Sequence, residues 1–362
     1  MFTVDWSLYP RVGTHQITRG FIDAYAWDGA PKTIDAYARN LDDLLRFFDD
    51  PSLERVIDAG RHDLQAYVHA LRTRPAATRV ARSPGTAAGM RPLLSTATIR
   101  QRVVTARLFY DYLIDSGHRC DRINPVRRGR RGANGEHPVR GALGGDQRVR
   151  LPWIPSDEEW ERLVRHVSVH EPLRDLCLIL LAYDGALRRQ EVVQLRLDDI
   201  AWGAGLIAIR PELSKTGLRR TVTFSAATAT ALSRYLLDER APLLAACGGD
   251  PDGPLFLSVS NRNPGAPLRI GAFNDVIERI RAAVGMPQLR THTFRHLRCT
   301  VLRRCGIDHP DIALYAGHAS VASTQIYIHL TPAVLAKRIG AATATHDARL
   351  RRLLAEAAHG RE

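Results

Sequence analysis

The chain has 362 residues, with 51 Lys and Arg against 38 Asp and Glu, so its formal net charge is +13. This length is typical of two domains. The positive charge favours a polyanion such as nucleic acid as partner, although the arginine bias of a GC-rich genome would raise the net charge equally. The longest apolar run, LCLILLAY at residues 176–183, excludes a bilayer-spanning helix, and five cysteines without CxxC or zinc-ligand spacing predict reduced thiols in a cytoplasmic protein.

Residues 14–126 are predicted to form a helical domain. Apolar residues recur at helical spacing in three segments, near residues 34–48, 64–71 and 98–117. The third segment carries Arg100, Arg102 and Arg107, which are expected to face either solvent or DNA. Residues 73–95 contain Pro75, Pro84, Gly85, Gly89 and Pro92 and are predicted to form a loop or an insert.

A second domain is predicted for residues 151–340, after a Gly- and Arg-rich basic flexible linker at residues 127–150. The linker is either a plain tether or lies along a phosphate backbone. Ser156 and Glu159 have the spacing of a capping box. Two short β-prone runs predict a small hairpin, at residues 206–210 and 220–224. Periodic segments predict helices at residues 158–166, 173–183, 186–195, 226–239, 270–284, 293–305, 308–315 and 320–329. Residues 341–362 are predicted to form an amphipathic helix with no obvious place in the core.

The main functional signal lies near the C-terminus, in the segments THTFRH, LYAGHAS and STQIYIHL. They contain His292, Arg295, His318 and Tyr327. A phenol can act as a nucleophile, a guanidinium can clamp a phosphate, and histidines can hold or move protons near neutral pH. Together these side chains could attack a phosphodiester without a metal. The ordinary alternatives are a core tyrosine, a surface arginine, and a zinc site at His292 and His296 that lacks a third ligand.

Over nearly its whole length, the chain resembles the tyrosine recombinase (phage integrase) family. GALRRQEVVQLRLDDI resembles the family's first-arginine helix, SKTGLRRTVTF its β-hairpin, and the three C-terminal segments its H-x-x-R-H box, L-G-H box and nucleophile segment. In the first domain, KTIDAYARNLDDLLRFF resembles the family's helical core-binding domain. The resemblance implies six catalytic residues: Arg188, Lys215, His292, Arg295, His318 and Tyr327.

Two positions depart from the family pattern. Ala186 occupies the place of a glycine, with Gly185 one position early, and Ala316 occupies the place of a leucine. The first departure leaves Arg188 and Arg189 as alternatives for the first catalytic arginine, and the three-residue spacing to Glu191 favours Arg188. Glu191 itself is expected to stabilise the helix or support the site. Two further cations, Arg219 and Arg220, are expected to contact a DNA backbone or face solvent.

The resemblance implies a mainly α fold with two domains, an N-terminal helical core-binding (SAM-like) domain and a C-terminal α-helical catalytic domain with a small β-hairpin or sheet. It also implies metal-free DNA strand exchange without a cofactor. Tyr327 would form a 3′-phosphotyrosine, Arg188 and Arg295 would hold the phosphate, and Lys215 would protonate the leaving oxygen. His292 would help deprotonate the tyrosine, and His318 would donate a hydrogen bond to the phosphate.

The expected partners are double-stranded DNA with specific recombination sites, three further copies in a synaptic tetramer, and accessory recombinases or DNA-bending proteins. The insert and the long linker favour the integrase or transposase of a mobile genetic element, acting in the cytoplasm at the nucleoid. Xer-type chromosome or plasmid dimer resolution, a type IB topoisomerase-like enzyme and a non-catalytic DNA-binding protein are the alternatives. The helix at residues 341–362 would suit docking in trans onto a neighbouring copy, or would be a frayed terminus.

Overall fold

Two compact units make up the chain, Met1–Val149 and Arg150–Glu362. The computed structural model describes residues 4–26, 31–75, 93–126, 152–214, 217–317 and 332–359. The predicted linker at residues 127–150 and the predicted helix at residues 320–329 lie outside these ranges. Within them, no helix is long and apolar enough to cross a membrane.

The first unit is mainly helical where the structure describes it. They are α1 (Pro10–Thr14), α2 (Gln16–Ala26), α3 (Pro31–Phe48), α4 (Glu54–Ile57), α5 (Arg61–Thr73) and α6 (Thr96–Asp115). The apolar stripe that predicted α3 is buried, because Ile34, Leu41 and Leu45 point into the core of this unit. That core begins at Val4, ahead of residue 14, where the sequence placed the start of the domain.

One carboxylate, that of Asp43 on α3, ties together the helices that precede and follow the predicted insert. It accepts a hydrogen bond from Tyr67 Oη at 2.9 Å and pairs with Arg74 and with Arg102, whose Nη1 lies 3.1 Å away. The prediction that Arg102 faces solvent or DNA is therefore wrong, because this side chain is mostly buried against Asp43. A backbone bridge between Pro75 and Leu93 joins the ends of the insert.

Over its described residues, the second unit is mainly helical and contains one antiparallel three-stranded sheet. Its helices are α7 (Asp157–His170), α8 (Leu173–Asp184), α9 (Arg189–Val193), α10 (Ala226–Arg234), α11 (Ala241–Cys247), α12 (Ala272–Ala283), α13 (Thr293–Arg304), α14 (His309–Ala316) and α15 (Pro332–His359). The strands β1 (Ile200–Ala201), β2 (Leu206–Ile209) and β3 (Arg220–Thr223) pair in the order β1-β2-β3. The predicted mainly α fold with a small hairpin is confirmed, and β1 is an addition to it.

The capping box predicted at the start of this unit is present. Ser156 Oγ accepts the backbone N–H of Glu159 at 3.2 Å, and the Glu159 carboxylate accepts the backbone N–H of Ser156 at 2.8 Å. Behind α7, the apolar run in α8 is buried along its whole length, so α8 is the central helix of the core.

The predicted helix at residues 186–195 is wrong in its first turn. The preceding helix, α8, ends at Asp184, and Ala186 has φ of +48°, with the N–H of Leu187 donating to the Ala182 carbonyl at 3.1 Å. This is the left-handed position that closes a helix and that glycine usually occupies. The helix that follows, α9, begins only at Arg189.

Close packing explains why the glycine stands one position early. A Cβ added to Gly185 would lie 2.9 Å from Leu187 Cγ and 2.9 Å from Val222 Cγ2. Both of these side chains are buried in the core. The chain therefore uses glycine where space is missing and accepts alanine in the left-handed conformation next to it.

The prediction that residues 341–362 have no place in the core is also wrong. Residues 341–359 belong to α15, whose Ile339, Leu350 and Leu353 are buried in the core of the second unit. Polar contacts support this packing, because Arg349 pairs with Glu161 on α7. Docking of this helix onto a neighbouring copy stays a prediction.

Candidate active site

Arg188 is the N-cap residue of α9 and is held by a carboxylate and a carbonyl group. Its Nη1 donates to Glu191 Oε1 at 2.8 Å, and its backbone N–H donates to Glu191 Oε2 at 2.7 Å. Its Nη2 donates to the carbonyl oxygen of Gly317, the residue directly before His318. These contacts place the Arg188 guanidinium beside the start of the segment that contains His318 and Tyr327.

Arg295 lies in the first turn of α13 and is almost fully buried, at 5% exposure. Its Nη1 donates to the carbonyl oxygen of Ala186 at 2.7 Å, which brings α13 against the turn that leads to Arg188. Its Nη2 is buried and has no hydrogen-bond partner among the described residues. Burial, followed by the positive charge of Arg188, lowers the pKa of Arg295 to about 10. Arg295 therefore stays charged at neutral pH, with one buried donor free to bind an anion.

His292 is the N-cap residue of α13 and precedes Arg295 by three positions. Burial lowers the pKa of His292, and the neighbouring His296 and Arg295 lower it further. The charge of Arg189 acts in the same direction, so this arginine also lies near the site. At neutral pH the imidazole of His292 is uncharged and can accept a proton. Within the described ranges, no group of three or more His, Cys, Asp or Glu side chains could hold a metal ion.

Glu191 is fully buried and shared by two arginines. Besides Arg188, it binds Arg220, whose Nη1 lies 3.0 Å from Oε1 and whose Nη2 lies 2.6 Å from Oε2. Burial raises the pKa of the Glu191 carboxyl, but the hydrogen bonds and charge of Arg220 and the contacts with Arg188 together lower it below its ordinary value. Glu191 is therefore an ionised carboxylate between two cations.

The prediction that Arg220 faces solvent or a DNA backbone is wrong. Arg220 is the first residue of β3 and is only 8% exposed, whereas Arg219 is exposed. The third donor of Arg220, Nε, binds the carbonyl oxygen of Tyr315 at 3.1 Å. The sequence does carry a signal for this burial, since Arg220 and Val222 are two residues apart on β3 and so share the inward face.

Arg298 is a second buried cation that the sequence analysis missed. It lies one turn after Arg295 on α13, is 2% exposed, and its guanidinium lies 5.2 Å from the centroid of the Tyr183 ring. Its Nη1 lies 3.6 Å from Asp347 Oδ1 on α15. Arg298 thus connects the helix of the candidate site to α15, and no motif in the sequence separates it from a surface arginine.

The structure brings together three of the six predicted site residues, Arg188, His292 and Arg295. The other three lie outside the described residues: Lys215, His318 and Tyr327. Two residues next to them are described, because Ser214 directly precedes Lys215 and Gly317 directly precedes His318. Gly317 has φ of +68°, and a Cβ there would lie within 3.1–3.2 Å of the Arg220 side chain. Glycine suits this position, because any other side chain would be strained at this φ and would press on Arg220.

Two family models match the chain, the Phage integrase family over residues 155–333 and the Phage integrase, N-terminal SAM-like domain over residues 21–117. Tyrosine recombinase XerD of Ralstonia nicotianae is 30% identical over 314 residues, a match that covers 83% of this chain and 94% of the relative. Tyrosine recombinase XerC of Xylella fastidiosa is 27% identical over 311 residues, covering 86% and 90%. The chain therefore belongs to the tyrosine recombinase family and is an enzyme of that family.

A solved structure supports the same fold. The integrase of transposon Tn1549 in complex with a circular intermediate DNA has a TM-score of 0.61 to this chain at 14% identity. The match covers 87% of this chain and 96% of the integrase chain in that structure, which comprises residues 82–397 of the integrase. The two predicted classes of domain, a SAM-like helical domain and a catalytic domain of the phage integrase type, are thus confirmed.

Proposed function

We propose that this recombinase acts at specific DNA sites, where it cuts and rejoins strands through a 3′-phosphotyrosine at Tyr327. The observation that carries the proposal is the pair of arginines, Arg188 and Arg295, with one buried donor of Arg295 unpaired among the described residues. A buried guanidinium with a free donor next to a second cation is suited to a phosphate, which accepts hydrogen bonds and neutralises both charges.

In the first step, the Tyr327 oxygen attacks phosphorus, the bond from phosphorus to the 5′-oxygen breaks, and a 3′-phosphotyrosine and a free 5′-hydroxyl result. Neutral His292 takes the proton of the phenol, and Lys215 gives a proton to the leaving 5′-oxygen. Arg188 and Arg295 stabilise the negative charge that builds on the non-bridging oxygens, and His318 donates a hydrogen bond to one of them. A 5′-hydroxyl of the partner strand reverses the step and completes the exchange.

Double-stranded DNA with specific recombination sites is the proposed partner, bound by a tetramer of this chain in the synapse. The net charge of +13 and the likeness to an integrase solved in complex with DNA support this assignment. Accessory recombinases or DNA-bending proteins would join at the same sites.

The biological role that we propose is that of an integrase or transposase of a mobile genetic element. The insert at residues 73–95 and the long linker at residues 127–150 support this role. A specific observation favours the alternative of Xer-type dimer resolution, because XerD and XerC relatives match this chain over 94% and 90% of their own lengths. The position of the cleaved site in the encoding genome separates the two roles. Paired sites that flank the gene indicate a mobile element, whereas one site far from the gene indicates dimer resolution.

The experiment that tests the activity uses a pool of nicked duplexes with a randomised centre, in which cleavage releases a short strand and traps the covalent complex. The wild-type protein should form an adduct that resists denaturation and should select a defined sequence. Tyr327→Phe should form none, and Tyr37→Phe, a control in the first unit, should behave as wild type. DNA binding without any adduct would favour a non-catalytic binder. An adduct with relaxation of supercoils by the monomer and without strand exchange would favour a topoisomerase-like enzyme.

A further inference from the structure

We infer that Arg220 is a positioning residue for DNA cleavage, which fixes Arg188 in its phosphate-binding orientation through the shared carboxylate of Glu191. The inference rests on the proposed function and names a residue to which no motif assigned a role in the reaction. Arg220 itself does not touch the DNA, because it is buried below Glu191 and Gly317.

Glu191 holds Arg188 at two points through its two carboxylate oxygens. Oε1 accepts from the side chain of Arg188 and Oε2 from its backbone N–H, at 2.8 and 2.7 Å. A carboxylate that accepts both bonds must keep one orientation. Arg220 fixes that orientation from the other side, because its Nη1 and Nη2 bind the same two oxygens at 3.0 and 2.6 Å. This two-point fork is a geometry that lysine cannot reproduce.

Arg220 is in turn fixed by its surroundings. Its Nε donates to the Tyr315 carbonyl at 3.1 Å, and its side chain lies within 3.1–3.2 Å of the place where a Cβ of Gly317 would stand. Arg188 donates to the carbonyl of that same Gly317. Arg220 thus contacts the turn after α14 and, through Glu191, the start of α9, which are the two segments that hold Arg188.

The position of Arg220 in the chain adds a functional consequence. Arg220 is the first residue of β3, and Lys215, the proposed general acid, lies five residues earlier in the sequence. A displacement of this hairpin therefore moves the fork that sets Arg188. Loss of the fork should leave the Arg188 guanidinium present but misplaced, and a misplacement of about 1 Å costs about 100-fold in rate.

The test compares Arg220→Lys with Arg234→Lys, which makes the same change at an exposed arginine on α10. Arg220→Lys keeps a positive charge beside Glu191 and loses the fork, so it should fold, as urea unfolding would verify. The rate of adduct formation is measured on the DNA site recovered from the randomised pool. We expect cleavage about 10 to 100 times slower for Arg220→Lys and an unchanged rate for Arg234→Lys.

A second substrate separates positioning from a general structural role. A methylphosphonate at the scissile position replaces one non-bridging oxygen by methyl and removes the negative charge that an arginine must neutralise. One diastereomer of this methylphosphonate substrate should restore cleavage by Arg188→Ala. On that diastereomer, the rate of adduct formation by Arg220→Lys should come to within about threefold of the wild-type rate. The double variant Arg188→Ala/Arg220→Lys should be no slower than Arg188→Ala alone, since Arg220 acts through Arg188.

Each outcome decides the matter. A wild-type protein that forms no adduct overturns the proposed function and this inference with it. A wild-type adduct together with an undiminished rate for Arg220→Lys overturns the inference alone. So does an equal deficit on both substrates, or a double variant whose losses multiply, because Arg220 would then act independently of Arg188. Should Arg220→Lys not fold, Glu191→Gln/Arg220→Gln, which removes both buried charges, takes its place with the same expected rescue.

Discussion

Replacement of Glu191 by glutamine should destabilise the second unit by about 3–5 kcal/mol at pH 7, the range expected when one partner of a buried ion pair is removed. Glu191 is fully buried, and its partner Arg220 is 8% exposed, so water cannot replace the lost carboxylate at that arginine. The second partner, Arg188, is 18% exposed and can recover part of its solvation. The loss of the pair between Arg188 and Glu191 therefore costs less free energy of unfolding than the loss of the pair between Arg220 and Glu191.

The cost should depend on pH in a defined direction. The pKa of Glu191 in the folded chain lies below its ordinary value of 4.5, because the bonds and charges of Arg220 and Arg188 outweigh the effect of burial. A lowered carboxyl pKa stabilises the fold above pH 4.5, and that contribution is lost as the pH falls through the folded-state pKa. The difference in the free energy of unfolding between wild type and Glu191→Gln should therefore be full at pH 7 and shrink below pH 4.5.

Urea unfolding followed by pulsed hydrogen exchange on peptides of α8 and α9 measures this difference within the second unit. Glu212→Gln removes an exposed carboxylate of the same unit and should change stability by no more than about 0.5 kcal/mol. A cost for Glu191→Gln below about 1 kcal/mol at pH 7 would refute the claim that this buried carboxylate is ionised and paired. A difference that grows as the pH falls would refute it as well.

Three further predictions concern the turn before α9, the C-terminal helix and the acid–base chemistry. Gly185→Ala should destabilise the second unit by about 1–3 kcal/mol in thermal unfolding, because its Cβ would overlap two buried side chains; Gly203→Ala, with nothing within 4 Å, is the control and should be neutral. Leu350→Ala should cost about 2–5 kcal/mol at every protein concentration, since α15 packs on its own chain; a cost that varies with concentration would indicate docking in trans. The rate of cleavage at limiting DNA should decrease at low pH with a midpoint below pH 6.5, because His292 must be neutral and its pKa is lowered by burial. His292→Gln should abolish this decrease. If His296→Gln abolishes it as well, the decrease cannot be assigned to His292.

Much of the fold follows from the sequence, because helical periodicity reports which face of each segment is buried. The stripe in α3 and the continuous apolar run of α8 were sufficient to predict both helices. Periodicity does not report what a face packs against, and this is why the C-terminal segment was expected to stand apart although Leu350 and Leu353 lie in the core. The left-handed Ala186 was missed for a related reason, since alanine is a strong helix former and its positive φ arises from packing around Gly185.

The sequence motifs predict the part of the candidate site whose residues lie within them. Arg188, His292 and Arg295 are brought together as the boxes suggested, and their order in the chain was enough to propose a phosphate site. The role of Arg220 could not be assigned in this way, because alternation on β3 indicates its burial but not its partner Glu191, which lies 29 residues earlier in the chain. The role of a buried arginine is recognisable only once the carboxylate that neutralises it is known.

The most direct test of the central claim is the identity of the residue that carries the DNA after cleavage. The trapped adduct is digested with trypsin and a nuclease, and mass spectrometry locates the remaining nucleotide. The account predicts a single modified peptide, in which a nucleotide is joined through its 3′-phosphate to the phenol oxygen of Tyr327. A nucleotide on any other side chain, or a 5′-linked phosphate on Tyr327, would contradict it.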